Sequence, residues 1–239
     1  MDDSAIIEVE KLSKAFGLLP VLQGLNFSID RGEFVMLFGA NGSGKSTLLR
    51  LLSGLSKPTA GAIRIGGWEL PREALAVRAQ IGLVAHRPLL YENLTASENL
   101  DFFGKLYGMK ADERQERGRQ LLQRVGLSRR AGSLVRTFSR GMKQRLSIAR
   151  ALLHQPDLLL LDEPYSGLDQ AACDLLDELL LEAKEARRTI ILSTHQLTRA
   201  PEIAVRALLL SDGKIVFDGI GDRRSLSDIY RDSARAQST

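Results

Sequence analysis

The segment Gly39-Ala40-Asn41-Gly42-Ser43-Gly44-Lys45-Ser46 has the spacing G-x-x-x-x-G-K-[ST]. Its glycines allow consecutive backbone N–H groups to converge on an oxyanion, and a cation and a hydroxyl follow at once. It lies after the apolar run Phe34 to Phe38 and before a stretch carrying Leu48, Leu49 and Leu52, the strand-to-helix setting that a phosphate-cradling turn requires. In that setting the amides and the helix dipole hold a β-phosphate, Lys45 reaches the β and γ oxygens, and Ser46 is the expected Mg²⁺ ligand, with Thr47 completing the loop. The plainer alternative is a glycine-rich turn with an incidental lysine.

A second feature weighs against that alternative. Leu158-Leu159-Leu160-Leu161-Asp162-Glu163 is an apolar strand ending in two carboxylates, a costly arrangement unless a cation is near. Asp162 is expected to hold Mg²⁺, and Glu163 to orient or deprotonate a water attacking the γ-phosphate. His195, in Ser193-Thr194-His195-Gln196, follows another apolar run, Thr189 to Leu192. A lone histidine is commonly structural, but here it ends a strand at the carboxyl edge, where α/β sheets bind ligands, and γ-phosphate contact is expected. Upstream, Phe138-Ser139-Arg140-Gly141-Met142 has a serine suited to N-cap a helix running toward Leu153. Arg136, Arg140, Lys143, Arg145 and Arg150 read, on their own, as solvated charge along it.

The elements that must position these residues can be read from periodicity. Leu25, Phe27 and Ile29 alternate with polar neighbours, as do Ile63 and Ile65, predicting an antiparallel β layer near the N-terminus. Phe34 to Phe38, Ile81 to Val84, Leu158 to Leu161 and Thr189 to Leu192 are continuous apolar runs, predicting parallel strands covered on both faces. Thr95-Ala96-Ser97-Glu98 is a capping-box pattern opening a helix with Leu100, Phe103 and Tyr107 on one face, and a second helix is expected to end near Gly126. Ala207 to Leu210, Asp212-Gly213 and Lys214 to Phe217 read as a hairpin. The fold class is therefore α/β: a phosphate-loop core with a mainly parallel sheet, an N-terminal antiparallel β subdomain and an inserted α-helical subdomain at about 95–140. One domain is expected over 1–221, with a polar tail over 222–239.

Composition narrows the functional classes. The chain of 239 residues is 44% hydrophobic, and its longest apolar runs are far shorter than the ~18 residues that suggest a membrane span. The acidic start MDDSAIIEVE lacks the pattern of a signal peptide, and the single cysteine, Cys173, excludes an internal disulfide, so a soluble protein in a reducing compartment is expected. The net charge of +4 is spread among interspersed acids and bases and does not call for a nucleic-acid partner.

With the phosphate loop, FSRGM, LLLLDEP, Ser166-Gly167-Leu168-Asp169 and His195 in order, the chain resembles the ATP-binding subunits of ABC transporters over nearly its whole length. The resemblance implies an ATPase using ATP and Mg²⁺, peripheral to the cytoplasmic face of the inner membrane and driving an integral membrane permease. It implies a homodimer in which two copies pack head to tail, so that Ser139, Arg140, Gly141 and Met142 complete the partner's ATP pocket. Ser166, Gly167 and Asp169 then fall in a loop crossing the interface. Phe16 matches the aromatic that stacks on adenine, with an apolar core role as the alternative.

The chain departs from the family pattern at three positions. His86 stands where a glutamine is usual, and imidazole is a poor ligand for Mg²⁺; it is expected to bond the attacking water or sense γ-phosphate, or to be an exposed loop histidine. Arg140 replaces the first signature glycine and Met142 the glutamine. These departures resemble the ATPase of the haem exporter used in cytochrome c maturation, with other small-molecule or drug exporters as the alternative. A soluble ABC ATPase acting on nucleic acid or the ribosome is the rival of a different class. The loop from His86 to Leu94, with Leu89, Leu90 and Tyr91, is expected to dock the membrane partner, or else to pack between subdomains.

Overall fold

Alternating apolar positions pair the first two strands, β1 (Ala5–Phe16) and β2 (Leu19–Asp30), into an antiparallel ladder that places Ile7, Val9 and Leu12 beside Ile29, Phe27 and Leu25. The computed structural model describes residues 5–195 and 206–220. The expected polar tail lies outside them. The next strand, β3 (Phe34–Phe38), is buried on both faces and runs through the phosphate loop into α1 (Lys45–Leu52). Strands β4 (Ala60–Ile65) and β5 (Trp68–Leu70) then join the first two in one antiparallel sheet of order β2-β1-β4-β5.

A short helix α2 (Ala74–Ala79) leads to β6 (Ile81–Val84) and then to the helical segment. There Thr95 accepts from Glu98 N, and Glu98 accepts from Thr95 N, so both arms of the capping box open α3 (Ala96–Leu106). Helix α4 (Ala111–Arg124) closes just before Gly126, whose φ of 67° is the left-handed conformation that ends a helix. Helix α5 (Arg140–Leu152) follows, then β7 (Leu158–Asp162), α6 (Gln170–Glu185), β8 (Thr189–Thr194) and the hairpin β9 (Arg206–Ser211) and β10 (Lys214–Ile220).

The second sheet has the order β10-β9-β3-β8-β7-β6 and is parallel except at its hairpin edge. Its period of two divides the core. Phe34, Met36 and Phe38 of β3 and Leu159 and Leu161 of β7 face the helices α3 to α6, whereas Val35, Leu37, Leu158 and Leu160 face α1 and the antiparallel sheet. Burial on both faces, at about 1.5–3 kcal/mol for each large apolar side chain, holds β3, β8 and β7 side by side. Their carboxyl ends thereby meet at one edge, with the phosphate loop after β3, Asp162 and Glu163 at the end of β7, and His195 after β8.

One charge departs from the solvated reading of α5. Arg150 is 5% exposed, donates to the carbonyls of Leu83 and Leu89, and lies over the Phe103 ring at 5.0 Å from its centroid. The reason is position on the helix: α5 turns this face toward β6 and α3, and two main-chain oxygens with an aromatic face replace water around the guanidinium.

Candidate functional site

The phosphate loop arches over the start of α1. Gly44 caps that helix at φ 108°, a conformation that side-chain-bearing residues rarely adopt, and a Cβ there would crowd Leu22 Cδ2 at 2.7 Å and the Val21 carbonyl oxygen at 3.1 Å. Lys45 is the first residue of the helix and is buried; its Nζ donates to Gly39 O at 2.7 Å and Ala40 O at 3.0 Å. Burial pushes its pKa down, and the carboxylates of Glu163 and Asp162 oppose that shift. Ser43 Oγ is buried with no hydrogen-bond partner among the described residues, an orphan polar atom within the phosphate loop.

Across the cleft, β7 delivers Asp162 at 5% exposure, where it accepts from Ser193 Oγ at 2.8 Å. Glu163 follows at φ 50°, a left-handed conformation uncommon outside glycine. Its N–H, shared between the carbonyl and hydroxyl oxygens of Ser193, each at 3.2 Å, holds the turn in place. Glu163 Oε1 lies 2.8 Å from His195 Nδ1. The two strand ends therefore present an acid and an imidazole as one unit, and strained backbone of this kind is typical of positions under functional constraint.

These groups surround a cleft of about 340 Å³. Asn41, Gly42, Gly44, Lys45, Ser46, Thr47, His86, Glu163, Ser166 and His195 line it, together with Val21. Gly39, Ala40 and Ser43 lie in the same loop without lining it, and Asp162 stands behind Glu163. Phe16 is not in the wall; the residue is 56% exposed, its ring beneath the Lys14 ammonium at 4.7 Å, which overturns the core alternative for it. The reason is that β1 runs past the end of the sheet core and turns at Gly17 into open solvent. His86 is exposed on the loop after β6 and faces the cleft at the same time.

The FSRGM residues are not in this chain's own cleft. Ser139 N-caps α5, accepting from Met142 N at 3.2 Å, and the Met142 side chain packs against the core. Arg140 Nη2 donates to Ser166 Oγ at 2.7 Å. Asp169 caps α6 by accepting from Ala172 N at 2.9 Å, with Gly167 exposed just before it. Of the three loop residues expected to dock a partner, Leu89 lines an apolar groove of about 400 Å³ with Leu75, Leu83 and Leu106. Leu90 instead packs into the core, and Tyr91 stacks edge-on against Phe102.

Among the described residues no group of three His, Cys, Asp or Glu side chains could hold a metal. A divalent cation would have to share its sphere between protein oxygens and phosphate. Ser46 and Asp162 are the hard oxygen donors for that, Asp162 being a buried carboxylate braced by a hydroxyl, and the donor chemistry fits Mg²⁺. Sequence reasoning missed the brace. Ser193 stands beside Asp162 in the parallel register, and a serine directly after the apolar run that ends at Leu192 was the available signal. It also missed Gln144, whose Nε2 donates to Pro164 O at 2.9 Å and ties α5 to the acidic turn.

A family model described as "ABC transporter" matches residues 22–166. The chain is 36% identical over 90% of its length to the linearmycin resistance ATP-binding protein LnrL of Bacillus subtilis (strain 168), covering 69% of that protein. It is 38% identical over 94% of its length to the Nod factor export ATP-binding protein I of Paraburkholderia xenovorans (strain LB400), covering 74% of it. Among solved structures, a dimeric ATP-binding cassette in a post-hydrolysis state bound to ADP and Pi superposes with a TM-score of 0.83 at 29% identity, over 90% of this chain and 98% of that one.

Proposed function

The chain belongs to the ABC transporter family as an ATP-binding subunit with ATPase activity, and from that premise we propose that it powers export of a small molecule through a separate membrane permease. The observation that carries the proposal is the joining of Lys45, Glu163 and His195 around one cleft at the carboxyl edge of the parallel sheet. ATP enters with its phosphates on the loop amides. Lys45 then exchanges the carbonyls of Gly39 and Ala40 for the β and γ oxygens, and Ser43 gains a partner for its hydroxyl. Glu163 takes the proton of the attacking water, while His195 holds that carboxylate in place and contacts the γ-phosphate. Ser46 and Asp162 would hold Mg²⁺, which when bound would neutralise part of the phosphate charge. His86, ill suited to Mg²⁺, contacts the water or reports γ-phosphate to its loop.

The chain acts as a head-to-tail homodimer in this reading. Ser139, Arg140, Gly141 and Met142 serve the partner's ATP, in keeping with their place outside their own cleft, and Ser166, Gly167 and Asp169 lie at the crossing. Phe16, exposed beside β2, is available to stack on adenine. The groove at Leu89 and the exposed Tyr91 receive a cytoplasmic helix of the permease, whereas Leu90 packs against the core, and the chain acts at the cytoplasmic face of the membrane. The functions for which the relatives are named, linearmycin resistance and Nod factor export, favour a drug or small-molecule exporter over the haem exporter.

The test is phosphate release by the full chain with its co-purified permease, beside two phenotypes of a deletion strain. Turnover with lost drug resistance and intact cytochrome c supports the proposal. Absence of turnover in the assembled complex, or loss of cytochrome c with resistance unchanged, overturns it.

A further inference from the structure

The residue that departs most from the family signature is also the one that reaches back toward its own nucleotide cleft. Arg140 stands at the first position of α5, next to the Ser139 cap, and its Nη2 donates to Ser166 Oγ at 2.7 Å. Ser166 lines the cleft, and its N–H donates to the carbonyl of Glu163 at 3.1 Å. A continuous chain of bonds thus runs from Glu163 through Ser166 to the segment that begins α5. The contact surface is close: a Cβ on Gly167 would lie 2.9 Å from Arg140 Cδ, and one on Gly141 would lie 3.1 Å from Gly167 O. A second tie, Gln144 to Pro164 O, is buried and anchors α5 to the same turn one helical turn further on.

We infer that Arg140 is a positioning residue that couples the two ATP sites of the closed pair, an inference that rests on the head-to-tail dimer proposed above. The buried Gln144 bond is the pivot and the exposed Arg140 bond the strap. When γ-phosphate arrives at or leaves Glu163, whose left-handed backbone is held by Ser193 on one side and by the Ser166 N–H on the other, the turn to Ser166 shifts. Arg140 carries that shift to Ser139 and Gly141, which face the other nucleotide. A glycine at position 140 has no side chain with which to reach Ser166, so the strap belongs to this chain's own sequence. Coupling of this kind is a free energy shared between two sites and is read as cooperativity.

The experiment is phosphate release by the full chain as a function of Mg-ATP concentration. With two sites the Hill coefficient has a ceiling of two, and the wild type is expected at about 1.5–2. Arg140→Gly and Ser166→Ala each bring it to about 1, the double variant lowers it no further, and Arg140→Lys, which keeps a donor, retains most of the cooperativity. Thermal unfolding checks that each variant is folded. A wild-type coefficient of 1, or a coefficient unchanged in both Arg140→Gly and Ser166→Ala, overturns the coupling. ATP-driven dimerisation of Glu163→Gln, measured alongside, separates the two readings. Dimers with unaltered cooperativity in the strap variants sink the strap alone, whereas absence of dimers sinks it together with the dimer.

Discussion

Replacing Ser193 by alanine removes one oxygen and tests how the acidic pair is held. In the wild type this hydroxyl donates to Asp162 Oδ1 at 2.8 Å in a setting where Ser193 is fully buried and Asp162 nearly so. A hydrogen bond to a charged acceptor contributes about 1.5–3 kcal/mol, and the buried carboxylate left behind has no water to replace it. Glu163 N keeps its bond to the Ser193 carbonyl, so the turn itself is expected to survive. The stability loss is thus about 2 kcal/mol, which for a chain of this size lowers Tm by roughly 4–8 °C. The functional loss falls on Asp162: removal of an outer partner of a metal ligand typically costs about 10–100-fold in metal affinity or activity. Phosphate release titrated with Mg²⁺ should therefore show a half-saturating concentration raised by about tenfold or more, with Ser193→Thr, which restores a hydroxyl, close to wild type. An Ala variant with unchanged Mg²⁺ dependence would refute the reasoning that Ser193 braces the metal carboxylate.

Two further perturbations probe the frame around the site. Arg150→Met leaves the carbonyls of Leu83 and Leu89 without their donor while also removing the cost of a buried charge. The net destabilisation is expected at about 2–4 kcal/mol by denaturant unfolding, partly restored in Arg150→Lys, and a loss below about 0.5 kcal/mol would contradict the reading. His154 is stacked on Tyr107 at 3.6 Å, and burial pushes its pKa down to about 4, opposed by the main chain of Ile81. The unfolded chain, with an imidazole near 6.5, binds more protons than the folded one between these values. Stability is therefore full above about pH 6.5 and falls as pH drops toward 4, by up to about 3 kcal/mol. His154→Phe should flatten that window in unfolding titrations, and an unaltered slope would rule out His154 as its source.

How much could be read in advance depended on whether a signal was local. The phosphate loop, the capping box at Thr95 and the carboxylates closing β7 are each carried by a few adjacent residues, and each element formed where its pattern placed it. The two sheets followed from alternation against continuous apolar runs, because period two distinguishes a half-covered strand from one covered on both faces. What escaped was set by contacts distant in sequence. Arg150 looked like one more solvated cation because nothing in its neighbours announces that Leu83 and Leu89 will offer their carbonyls. Phe16 could be placed in the core only while the end of β1 was unknown. Ser193 and Gln144 act on residues some thirty and twenty positions away, and the Arg140–Ser166 bond depends on α5 and the turn after Glu163 meeting edge to edge.

The central claim is that this chain holds half of each ATP site and hydrolyses ATP through Glu163. The most direct measurement is the mass of the full-length Glu163→Gln variant with and without Mg-ATP, by sedimentation, alongside phosphate release by the wild type and by Glu163→Gln/Ser139→Arg. The account predicts wild-type turnover, stable ATP-dependent dimers without turnover in Glu163→Gln, and monomers once Ser139→Arg blocks the start of α5. Normal turnover in Glu163→Gln, or dimers that persist with Ser139→Arg, would contradict it.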